Sequence, residues 1–140
     1  MGIYNVGGEM SEHHEQAAFF DLLALEQRHT PELKWVYAIP NGGLRDKGTA
    51  GKMKREGTKA GVFDIFAPIP RFGCPGFFIE MKFGANDTTR EQKEFRKFVI
   101  SQGYRANVYW SAVDAFQALM QYLGKSDRLK AYNFQEQQRA

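Results

Sequence analysis

Cysteine is nearly missing from this chain. Its single thiol, Cys74, rules out an internal disulfide and leaves no cysteine cluster for a metal. No apolar run approaches the ~18 residues needed to cross a bilayer. Residues 1–10 have neither the basic stretch nor the apolar segment that opens a secretory signal, so they read as a flexible leader. A soluble cytoplasmic protein is the expectation. Internal repeats and domain boundaries are also missing, and 140 residues suit a single domain. Apolar residues make up 43% of the chain, enough for a core that hides roughly two-thirds of the unfolded surface.

Net charge is small, a formal excess of only +3, but charge is unevenly placed. Between Leu44 and Lys59 stand Arg45, Lys47, Lys52, Lys54, Arg55 and Lys59 against Asp46 and Glu56. Such a segment suits a polyphosphate partner, or is simply a solvated helix face.

Periodicity predicts an α/β order. Ser11 is a fit N-cap for a helix to about His29, halted by Pro31. At about 100° per residue, Phe19, Phe20, Leu22 and Leu23 form its apolar stripe. Glu12 points along the middle of that stripe, Gln16 beside it and Glu15 on its flank. Residues 35–39 have strand composition and run into the turn Pro40-Asn41-Gly42-Gly43. A short helix over 49–56 precedes strands at 62–67 and 76–83, joined through the breaker-rich residues 68–75 as a loose hairpin. Thr88 with Glu91 makes a capping-box pattern for a helix to about Gln102, with Phe95, Phe98 and Val99 on its apolar face. A strand over 105–110, a helix over 112–123 and a polar tail over 124–140 complete a sandwich around a mixed sheet. Tyr132 and Phe134 in the tail should pack on the body or on a second subunit.

Glu80 and Lys82 lie two apart on a strand and leave the same face, among Phe78, Ile79, Met81 and Phe83. Charges in so apolar a setting are costly to bury unless paired or bound to a metal. A hairpin centred near Phe72 sets Asp64 opposite Glu80. Two neighbouring carboxylates repel, and a divalent cation relieves that repulsion; hard oxygen ligands favour Mg2+ or Mn2+ over zinc. Such an ion could polarise a phosphoryl oxygen and lower the pKa of a water, with Lys82 stabilising developing charge. The chemistry indicated is phosphodiester hydrolysis. Gln92 shares a helix face with Phe95 and Val99, so it too faces the sheet. The competing reading of an isolated E-x-K is an ion pair or a solvated strand edge.

Taken in order, Ser11-Glu12 with Gln16, Pro40-Asn41-Gly42-Gly43, Gly61-Val62-Phe63-Asp64, Ile79-Glu80-Met81-Lys82 and Gln92 resemble the VRR-NUC branch of the PD-(D/E)xK nuclease superfamily. The resemblance spans residues 11–123 and is strongest to stand-alone phage and prophage forms. It implies a restriction-endonuclease-like αβββαβ core with a mixed four-stranded sheet flanked by helices. It further implies a magnesium or manganese ion, cleavage of branched or four-way-junction DNA, and a homodimer in a bacterial host. Asp64 and Glu80 would be metal ligands, Lys82 the catalytic lysine, Glu12 the additional acid and Gln92 the glutamine of the following helix. Arg45, Lys52, Lys54, Arg55 and Lys59 become the candidate DNA contacts. Phe63 stands where the family has proline, and Glu15 rivals Glu12 for the first-helix acid.

Other candidates carry less. His13 and His14 are adjacent in a helix, point about 100° apart and should be solvent-exposed. Asn41-Gly42-Gly43 could turn amides to a phosphate or be only a turn. Tyr109 and Trp110 should be buried at a strand end rather than stacked on bases. Cys74 has no nearby histidine to make it a nucleophile. The alternative functions are a nucleic-acid-binding module with a degenerate site, or a structural subunit whose acidic patch merely binds an ion.

Overall fold

The computed structural model describes residues 11–40 and 47–134, apart from the side chains of residues 47–50. The leader, the Asn41-Gly42-Gly43 turn and Arg45 therefore lie outside the described residues. Helix α1 (Glu12–Glu26) starts as expected, Ser11 accepting the His14 N–H at 3.3 Å, and buries Phe19, Leu23 and Glu26. It ends three residues before His29. A 3-10 turn over Pro31–Trp35 then takes the first residue assigned to a strand, because the chain here buries Leu33 and Val36 and leaves Trp35 exposed. Tyr37–Ala38 forms the first strand, β1, and the Ile39 N–H donates on to the Asp64 carbonyl at 2.6 Å. Helix α2 (Lys47–Arg55) precedes Gly57, whose φ of +108° suits the left-handed exit of a helix.

Strands β2 (Ile65–Ala67) and β3 (Phe77–Met81) pair antiparallel, with Ile65 opposite Ile79. Continued one step, that register sets Asp64 against Glu80, as expected from the sequence. The connection is not loose, however. Arg71 and Cys74 exchange both backbone hydrogen bonds across Phe72 and Gly73, which have φ of 53° and 79°. Positive φ at both central residues matches the strand twist. Gly73 adopts it freely, whereas Phe72 is strained by about 1–2 kcal/mol.

Helix α3 (Arg90–Ser101) crosses over to β4 (Arg105–Tyr109), which pairs parallel to β3. The result is the expected mixed four-stranded sheet, in the order β1-β2-β3-β4. Helix α4 (Ala112–Tyr122) returns against α1. Ile65, Ala67, Phe77, Ile79 and Met81 face the α1–α4 side and form the main core with Phe19, Phe116 and Leu119. The opposite face is covered by α3, through Phe63, Val99 and Ala106 with Phe78 and Phe95 around them.

Three local assignments are corrected, one helix cap and two aromatic side chains. The cap of α3 is Thr89, not Thr88, with Gln92 completing the box. Thr88 is held by Asp87, which accepts its N–H at 2.7 Å. Phe98 is 61% exposed, because α3 rests on the sheet along its Gln92–Phe95–Val99 stripe and β4 is an edge strand among the described residues. Trp110 lies beyond β4 and is 44% exposed, its indole N–H donating to the Asn86 carbonyl at 2.8 Å. Among the described residues, no helix is long and apolar enough to cross a membrane.

The described part of the tail, residues 124–134, is tied down. Tyr132 stacks on Phe134 at 5.3 Å, and both meet Phe116 edge-on. Arg128 forks onto the buried Glu26 carboxylate at 2.7 and 3.0 Å, joined by the Tyr132 hydroxyl at 2.8 Å and Thr30 at 2.8 Å. Burial alone would raise the Glu26 pKa; the donors outweigh it and lower it from 4.5 to about 2. Burial and the bond to Glu26 push the Tyr132 phenol up to about 12.

Glu26 ionises more easily folded than unfolded, so its contribution is full above about pH 4.5 and is lost as the pH falls toward 2. That contribution is about 3 kcal/mol. Urea denaturation as a function of pH should show this loss, and Glu26→Gln should flatten it while lowering stability at pH 7.

Candidate functional site

Asp64 stands one residue ahead of β2, and its neighbours determine where it points. Gly61 has φ +90°, and a Cβ there would fall 2.5 Å from the Glu91 carbonyl oxygen, so the chain runs in contact with the first turn of α3. Phe63 is fully buried, 5.4 Å from Phe95 in ring-centre distance. A buried aromatic thus anchors the position where the VRR-NUC pattern has proline. Burying a ring of this size contributes about 1.5–3 kcal/mol.

The two acids are locked by exchange across the hairpin. Asp64 N–H donates to Glu80 Oε1 at 3.2 Å, and Met81 N–H donates to Asp64 Oδ2 at 3.2 Å. Glu80 Oε2 accepts from Gln92 Nε2 at 2.9 Å, while Gln92 Oε1 accepts the Thr89 N–H at 2.9 Å. Gln92 therefore caps α3 with its oxygen and orients Glu80 with its nitrogen. Lys82 Nζ lies 3.3 Å from Glu80 Oε2 and 3.7 Å from Glu12 Oε1. Glu80 is 2% exposed and Lys82 7%, whereas Glu12 is half-exposed. Glu15 is occupied elsewhere, accepting the Ala112 N–H at 2.8 Å and so capping α4. Glu12 is thus the first-helix acid that reaches this cluster.

Burial, then the adjacent Asp64 charge, pushes the Glu80 pKa up to about 8 against the pull of Lys82. Asp64 is also raised, chiefly by burial, with the Met81 N–H opposing. Two acids that resist joint ionisation can share a proton or a cation. The donors are hard oxygens, which suits magnesium or manganese. Among the described residues, no three His, Cys, Asp or Glu side chains gather closely enough to form a metal site by themselves. Magnesium is commonly held by one or two carboxylates, with waters and substrate phosphates completing its shell. Asp64 and Glu80 meet that requirement. Glu12, expected as a third ligand, instead faces Lys82.

These residues sit in a cleft of about 690 Å³, lined by Glu12, Asp64, Glu80, Lys82 and Gln92 with Lys54 and Lys59. Lys52 and Arg55 are exposed on α2 but do not line it. His13 is exposed, as expected, while His14 turns its ring toward Ser11 at 3.3 Å. Sequence reasoning missed Glu91 and Thr58 as cleft residues. Glu91 had been spent on the cap; the equally valid Thr89-x-x-Gln92 pattern would have freed it.

No family model matches the chain, and no curated protein is significantly similar to it. Among solved structures, the chain is similar to one described as "VRR_NUC domain protein", with a TM-score of 0.68 and 26% identity. The match covers 83% of this chain and 90% of the other. Fold and cleft define a mixed α/β domain with an Asp–Glu–Lys centre in which Glu80 and Lys82 are buried and Asp64 is half-buried. The similarity supports a VRR-NUC domain for this chain.

Gly61→Ala should destabilise the fold by about 2 kcal/mol or more, through its positive φ and the contact with Glu91. Chemical denaturation would show it; unchanged stability would mean the loop does not pass so near α3.

Proposed function

We propose that this chain is a DNA endonuclease of the PD-(D/E)xK type that hydrolyses phosphodiester bonds with Mg2+ or Mn2+. The observation that carries this reading is the Asp64–Glu80–Lys82 cluster, with Glu80 and Lys82 buried and Asp64 half-buried, in a lysine-walled cleft. The structural likeness to a VRR_NUC domain protein supports it. Asp64 and Glu80 would hold the ion, with Glu12 near enough for its charge to act on Asp64. The ion would supply Lewis acidity toward a phosphoryl oxygen.

The remaining steps belong to the chain. Lys54 and Lys59 hold the phosphate backbone against the cleft. Lys82, steadied between Glu80 and Glu12, places a positive charge where negative charge develops on the phosphoryl group. Gln92 keeps the Glu80 carboxylate from rotating. Hydrolysis adds a water oxygen to phosphorus and breaks the bond to one sugar oxygen, which leaves with a proton. Selectivity for branched or four-way DNA, action as a homodimer, phage origin and work in a bacterial cytoplasm rest on the family resemblance. A second reading, a binding module without cleavage, is favoured by one feature: Glu12 pairs with Lys82 rather than joining a three-acid cluster.

With Mg2+ or Mn2+, the protein should nick or cut at least one member of a panel of linear, flapped and four-way DNA substrates. Asp64→Asn, Glu80→Gln and Lys82→Ala should each lower the rate at least a hundredfold. Glu80→Gln cutting at the wild-type rate would sink the mechanism, and binding without cutting would establish the second reading.

Lys54→Ala with Lys59→Ala should weaken DNA binding and make its salt dependence shallower by about two units of log–log slope. An unchanged slope would remove these lysines from the interface.

A further inference from the structure

The helix that delivers Gln92 has a second face that the proposed reaction does not use. Lys93, Arg96, Lys97 and Ile100 stand at i, i+3, i+4 and i+7 on α3 and share one side of it. With Thr88 and Asn107 they line a groove of about 520 Å³ between α3 and the edge strand β4. No carboxylate lines this groove. Glu94 is turned to Arg90 at 3.6 Å, and Glu91 lines the cleft instead. Asp87 approaches Lys93 to 3.6 Å, but both side chains are well exposed, and such a pair holds little.

Arg96 is fixed in place. Its Nε donates to the Ala106 carbonyl at 2.8 Å and its Nη2 to Asn107 Oδ1 at 2.8 Å. A guanidinium has five N–H donors, so the others remain for an anion. Groove and cleft meet around the first turn of α3, where Thr88 and Lys93 line one and Thr89 and Gln92 the other. Lys93 to Lys97 spans about 6 Å of helix, the axial length of roughly two phosphates on one DNA strand. No aromatic side chain lines the groove. Unstacked single strands are gripped by aromatic platforms, so this lining suits the outside of a paired helix.

We propose that this groove holds the phosphate backbone of a duplex arm that continues past the cut site, making an arm of at least about three base pairs part of the substrate. This rests on the nuclease reading above and extends it to the substrate's shape. The groove acts on binding and leaves the chemical step alone.

The test uses the full chain carrying Lys93→Ala with Lys97→Ala, and a matched Lys93→Arg with Lys97→Arg control. Arg96 is kept, since it also holds β4. Binding is measured in EDTA and cleavage with Mg2+ or Mn2+, on duplexes whose arm is shortened stepwise. On a long arm, the alanine variant should bind at least tenfold more weakly near 0.1 M salt, with a slope shallower by about two. It should raise KM at constant kcat, and the arginine variant should restore both. On an arm of one or two base pairs, variant and wild type should coincide. An unchanged slope, an equal loss on the short arm, or no DNA binding by the wild type overturns the groove. Wild-type protein that binds in EDTA but never cuts would instead overturn the nuclease reading, with the groove still judged by binding.

Discussion

Everything chemical in this molecule depends on how β2 and β3 are aligned. Side chains alternate across a strand, so a slip of one residue would turn Glu80 and Lys82 from the α3 face into the main core. The alignment is secured at the site itself, where Asp64 and Glu80 each accept a backbone N–H from beside the other. The bonds that hold the register also aim the carboxylates. Glu80 is buried beside the half-buried Asp64 against their mutual repulsion because backbone donors serve both acids and the Gln92 amide and Lys82 ammonium serve Glu80. Burial still raises both pKa values, so one acid can hold a proton where a cation does not compensate the charge.

Helix α3 turns that local arrangement into a rigid one. Its capping box is a purely local device in itself, but here the capping glutamine has a spare amide nitrogen that reaches Glu80. Helix termination and carboxylate orientation therefore share one side chain. Close approach at Gly61 and the buried Phe63 ring bring the Asp64 segment onto the same helix. The far side of the sheet is stabilised by other means. Glu15 caps α4, and Glu26 gathers Arg128, Tyr132 and Thr30, so these two acids of α1 are structural, Asp21 is exposed, and Glu12 turns to the cleft.

Local patterns made much of this legible. Period-two alternation around Glu80, the Ser11 cap and the breaker-rich hairpin follow from short-range sterics and hydrogen bonding, and the hairpin centre carried the Asp64–Glu80 pairing. Helical spacing put Gln92 on the sheet side. Errors arose where neighbours distant in sequence decide. Trp35 and Trp110 look like strand residues, yet one lies before β1 begins and the other after β4 ends. Phe98 fits the apolar stripe of α3, yet no element covers it. Glu26, three residues after the core residue Leu23, carries no sign of Arg128 a hundred residues later.

The sequence by itself determined which residue types could meet: a hairpin with an acid on each arm, a lysine two beyond the second, and a glutamine on the helix that follows. These are matters of spacing and periodicity, readable over a few residues. Only the tertiary structure decided what they do once together. It gave Glu15 to α4 and Glu12 to Lys82, admitted Lys54 and Lys59 to the cleft while leaving Lys52 and Arg55 outside, and opened a second cationic groove beside β4. Such choices depend on which surfaces pack and which stay wet, and burial is a property of the whole fold.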